Sequence, residues 1–170
     1  MSDGWDAGVI LTVDTRWVGF DANIDALAQK SVTGSTHNDI GDPAAWGSAH
    51  ITWSVISASW IRIRALTGAS MLALPKTTFT ESQPWAGDTL FGPDVGFSGG
   101  IGLHAPVTAE GWARLTPFPT RIVDAYAGLG VHGGPIGLTA GWRWVEVHGN
   151  GTDAPTLNFS GPQGGLSFRF

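Results

Sequence analysis

The feature that most constrains this chain is a period-two alternation of apolar and polar residues. From Val9, one set of alternate residues reads Val9, Leu11, Val13, Thr15, Trp17, and the other reads Ile10, Thr12, Asp14, Arg16. Apart from Ile10, the two sets separate apolar from polar. A β-strand with one greasy and one polar face produces this pattern, because successive side chains point to opposite sides of a sheet.

The same rhythm recurs along the chain. Gly47, Ala49, Ile51, Trp53, Val55 oppose Ser48, His50, Thr52, Ser54, and Ile61, Ile63, Ala65 oppose Trp60, Arg62, Arg64. The cleanest stretch sets Val95, Phe97, Gly99, Ile101, Leu103, Ala105 against Asp94, Gly96, Ser98, Gly100, Gly102, His104. Ala113 and Leu115 then oppose Trp112 and Arg114, Val123 to Val131 oppose Asp124 to His132, and Ile136 to Trp144 oppose Gly137 to Arg143. The last run sets Leu166, Phe168, Phe170 against Gly165, Ser167, Arg169. These are eight candidate strands, with a ten-stranded variant open if 22–32 or 72–80 also pair.

The gaps carry an independent pattern. Connections near 27–44, 67–93 and 149–155 are long and polar, whereas those near 56–58, 106–108 and 132–135 are tight. The segment 115–120, around Pro117 and Pro119, breaks this rhythm. Short turns at one end and longer loops at the other are the topology of an up-and-down antiparallel barrel, with both chain ends expected on the turn side. At 170 residues the whole chain, 1–170, reads as one domain.

Composition decides which way such a barrel faces. Charged residues are 14 % of the chain, against roughly 25 % in an ordinary soluble domain, and lysine occurs only at Lys30 and Lys76. The polar face is rich in small residues, including Gly96, Gly100, Gly102, Gly128 and Gly130, which suit a crowded interior better than a solvated exterior. The expectation is therefore a transmembrane all-β barrel with its polar face inward. A soluble calycin-like barrel, which binds its ligand in an apolar interior, is the alternative outside that class. No apolar run approaches the roughly 20 residues of a membrane helix. A net charge of -5 argues against a nucleic-acid partner, and the absence of cysteine removes thiolate chemistry and disulfides. The start, Met1-Ser2-Asp3-Gly4, shows no basic region leading into an apolar one, so no signal peptide is expected within this sequence.

The closing segment Phe159-Ser160-Gly161-Pro162-Gln163-Gly164-Gly165-Leu166-Ser167-Phe168-Arg169-Phe170 resembles the terminal strand of small bacterial outer-membrane β-barrel proteins. In that family, alternating apolar residues end in a terminal Phe read by the barrel-assembly machinery. The resemblance implies an outer-membrane location, with contact with membrane lipid and with that machinery during folding; a monomer is the expected oligomeric state. The family's roles are diverse, so it implies no particular activity.

The candidate lumen-lining residues are Asp14, Arg16, His50, Arg62, Arg64, Asp94, His104, Arg114, Asp124, Arg143 and Arg169. Such a set could form an anion-preferring constriction, but an eight-stranded barrel is only just wide enough for its own side chains. A salt-bridged plug is the expected arrangement. Trp5, Trp17, Trp53, Trp142, Trp144, Phe168 and Phe170 are expected as aromatic belts at the two membrane interfaces. No HExxH, GxSxG or Ser/His/Asp order is present, and Ser98 and His104 lie about 20 Å apart along one strand, too far for nucleophile and base. No catalysis, metal or cofactor is expected. The expected function is a structural or narrow-pore barrel, porin-like at most, with transport of small hydrophobic molecules as the in-class alternative.

Overall fold

The computed structural model of the protein describes residues 4–15, 17–29, 43–74, 89–148 and 156–169. These form nine β-strands: β1 (Gly4–Asp14), β2 (Val18–Gln29), β3 (Ala44–Ser57), β4 (Ile61–Ala73), β5 (Thr89–His104), β6 (Val107–Thr116), β7 (Arg121–Gly133), β8 (Ile136–His148) and β9 (Thr156–Arg169). Each strand pairs with the next, antiparallel throughout, and β1 pairs with β9 to close the barrel. Closure satisfies the edge groups that an open sheet would leave bare.

The count is nine, not eight, and the difference is β2. Its outward residues include Ala22 and Ala26, and its inward ones Asp21, Asn23 and Asp25, all residue types depleted in strands. The hairpin before it also lacks the usual turn residues. Thr15 closes it instead: its amide donates to Val18 O at 3.1 Å, and Val18 N donates to Thr15 Oγ1 at 3.2 Å. An odd count makes β1 and β9 parallel, in register from Asp6↔Gln163 to Thr12↔Arg169. It also corrects the expected placement of the ends, since β1 starts at the long-connection end and β9 finishes at the turn end.

The connections sort by length as the sequence implies. Residues 15–17, 58–60, 105–106 and 134–135 are tight turns at one end, the last using Gly134 at φ 70°, a conformation that favours glycine. The strand ends that flank 30–43, 74–88, 117–120 and 149–155 lie at the other end. The 22–32 stretch supplies most of β2, whereas 75–80 falls outside the described residues.

Faces follow the alternation. Leu103, Leu129 and Leu138 are exposed on the outer surface and Phe168 is half-buried there, while Asp94, Arg114, Asp124 and Arg143 are buried inside. Towards the long-connection end the interior changes character. Leu27, Trp46, Leu72, Ile122, Val145, Val147 and Phe159 turn inward and pack as an apolar cluster across the barrel, with Leu90 against it.

Candidate functional site

The centre of the lumen is a charge layer organised by two arginines. Arg143, on β8, is almost wholly buried; its Nε and Nη2 donate to Asp124 Oδ1 and Oδ2 at 2.8 and 3.1 Å. Its Nη1 reaches the far wall, donating to Asp6 Oδ2 on β1 at 2.7 Å and to Asp25 Oδ2 on β2 at 2.9 Å. One guanidinium therefore ties β7, β8, β1 and β2 together, using the two-pronged geometry that suits arginine to carboxylates. Its partner on β9 is Gly161, which presents no side chain in the way.

Arg114, on β6, is the second organiser. Its Nη1 donates to Ser48 Oγ at 2.8 Å and Asn23 Oδ1 at 3.3 Å, and lies 3.9 Å from Asp124. Its Nη2 is 4.0 Å from Asp21. Ser48 in turn donates to Asn23 Oδ1, and Asn23 Nδ2 donates to Asp25 Oδ2 at 2.5 Å, so the two arginine clusters are continuous. Aromatic rings flank the charges: Trp112 stacks on Tyr126 with centroids 4.2 Å apart, Arg114 lies 4.8 Å above Trp112, and Arg143 lies 5.2 Å from Trp46. Trp112 Nε1 also donates to Asp124 Oδ2 at 3.1 Å.

Between this layer and the turns lies a cavity of about 290 Å³ whose wall includes Thr12, Asp21, Arg62, Arg64, Ser98, Glu110 and Arg114. Glu110 accepts from Thr108 Oγ1 at 2.7 Å, and His132 Nε2 lies 2.5 Å from the same carboxylate. Inward Gly100 and Gly102 leave room beside it.

Of the residues singled out from the sequence, His50, Arg64, Asp94, Arg114, Asp124 and Arg143 are buried in the lumen, and Arg62 is half-buried on the cavity wall. His50 and Asp94 pair with one another, apart from the arginine clusters. His104 is exposed at the end of β5, beyond an irregularity in its register with β6, and joins none of them. Arg16 and the side chains of Asp14 and Arg169 lie outside the described residues. Trp5, Trp17, Trp53, Trp142 and Trp144 are exposed on the outer surface, with Phe168 half-buried; Phe170 lies outside the described residues.

The strand rhythm missed half of the charge layer, namely Asp6, Asp21, Asn23 and Asp25. Three of these sit on β2, and the signal that could have found them is Asp21-Ala22-Asn23-Ile24-Asp25, itself a period-two pattern. Among the described residues no group of three or more His, Asp or Glu side chains is placed to hold a metal ion. Compared with protein-family models, with curated proteins and with solved structures, the chain gives no match.

Proposed function

We propose that this protein is an integral β-barrel of a lipid membrane, sealed by its own side chains and structural in role. The observation that carries this is the inverted partition of residue types. Ile24, Val55, Phe97 and Leu138 are 61–73 % exposed on the outside, while Arg143, Asp94 and Asp124 are at most 2 % exposed within. A water-facing exterior of this kind would leave large apolar patches unpaired, whereas lipid matches them. Strands of 10–16 residues are also long enough for the roughly 9–11 needed to cross a bilayer at the usual tilt.

The arginine layer and the apolar cluster beyond it support the sealed form over a pore. Charges so confined are stable only when paired, and pairing fills the section. The resemblance of the segment 159–170 to the terminal strand of small outer-membrane barrels supports the bacterial outer membrane and its assembly machinery, against which stands the count of nine strands among the described residues, since bacterial single-chain barrels have even counts.

Purification with and without detergent tests the reading. The expected result is a chain that needs detergent to stay dispersed and migrates differently on gels when heated. A folded, monodisperse protein in detergent-free buffer would overturn it.

A further inference from the structure

We propose that the cavity at the turn end of the lumen is a binding site for a small multivalent oxyanion of the phosphate class. Its wall brings three guanidinium groups, Arg62 and Arg64 of β4 and Arg114 of β6, against two carboxylates, Asp21 and Glu110. Both carboxylates are engaged: Glu110 by Thr108 and His132, and Asp21 by Thr12 Oγ1 at 3.5 Å and by Arg114.

A second, independent observation points to a ligand. The hydroxyl of Ser98 lines the same cavity, is only 9 % exposed as a residue, and has no hydrogen-bond partner among the described residues; Nε of buried Arg114, on the same wall, likewise has none among them. A buried donor left unmade is costly, and an oxyanion satisfies it while accepting charge-assisted bonds from the arginines. At about 290 Å³ the space is many times the roughly 10–15 Å³ that one water needs, so a tetrahedral oxyanion enters without rearrangement. The inward glycines keep it open. A Cβ at Gly102 would meet only Trp60 O and Cα, at 3.7 and 3.9 Å, so the backbone there tolerates a side chain but has none.

The inference rests on the closed barrel and not on the membrane reading, because the full chain can be titrated in buffer or in detergent. Inorganic phosphate is the probe, with chloride at matched ionic strength as control. Phenylglyoxal modification, read by peptide mass spectrometry, reports on Arg62, and exposed Arg121 at the opposite end of the barrel is the internal reference. The expected result is saturable protection of Arg62 by phosphate and none at Arg121. Gly102→Leu, which fills the cavity, and Ser98→Ala, which removes the unpaired donor, should each weaken that protection by about tenfold, the equivalent of one charge-assisted hydrogen bond. Protection by chloride equal to that by phosphate, or protection unchanged in both variants, would overturn the proposal. If Gly102→Leu fails to give the native near-UV circular dichroism, the wild-type comparison and Ser98→Ala decide it.

Discussion

His50 on β3 and Asp94 on β5 pair at 3.0 Å over the strand that separates them, directly above Gly68. Gly68 is the register partner of both residues, opposite His50 on one side and Asp94 on the other. Side chains two strands apart are ordinarily kept from meeting by the one between. Here its absence lets two buried polar groups satisfy each other, which each requires in a crowded lumen.

Gly68→Ala should therefore be among the most damaging single-methyl changes in the chain. A Cβ there would stand 1.9 Å from Ala49 O, a backbone atom that cannot step aside, whereas one at Gly164 meets nothing within 4 Å. The expected losses are about 1–3 kcal/mol or more at Gly68 and within about 0.5 kcal/mol of zero at Gly164. Urea unfolding of the two variants in lipid vesicles checks this, and equal losses would contradict the close approach.

Removing the central cation should cost more. Arg143→Ala strands Asp6, Asp25 and Asp124 without their shared partner, and breaking a buried pair costs about 3–5 kcal/mol. Arg143→Lys keeps the charge but loses the fork on Asp124, so an intermediate loss is expected. Denaturant midpoints of the three proteins give the order, and a lysine variant as stable as the native chain would show that charge alone matters.

The outward face gives a depth-dependent test of the membrane reading. Arg in place of exposed Leu129, well inside the outer band, should destabilise the barrel by about 2–4 kcal/mol in vesicles, and Trp17→Arg, in a turn, by about 0–1 kcal/mol. Similar small effects at both positions would mean that no hydrocarbon surrounds Leu129.

Planar-bilayer recording addresses the lumen. A barrel sealed by Arg143, Arg114 and the apolar cluster should give no steady single-channel steps. Anion-selective steps that change in Arg62→Ala or Arg143→Ala would replace the sealed barrel with a narrow pore.

Trp46 is the inward anchor of the apolar cluster, at 1 % exposure, while Trp53 faces outward on the same strand. Trp46→Ala should cost about 3–5 kcal/mol and Trp53→Ala clearly less, as read by thermal unfolding. The reverse order would place the faces of β3 the wrong way round.

Much of this barrel was legible before folding because alternation is a local property. Each of the strands found in that way announces its two faces within a run of four to twelve residues, and the small-residue face of β5 identified the interior. β2 was not legible for an equally local reason: Asp, Asn and Ala read as loop, and Thr15 closes its turn without a turn residue. One missed hairpin strand changed the parity of the barrel and the direction of its seam. The roles of the buried charges lie a level higher. Arg143 and Asp6 are far apart in the chain, and their contact at 2.7 Å exists only because β1 closes onto β9. The sequence by itself determined that the chain forms strands with a polar and an apolar face. Only the closed tertiary structure decided which charges meet, since cross-lumen distances depend on strand number and register, which no single segment encodes.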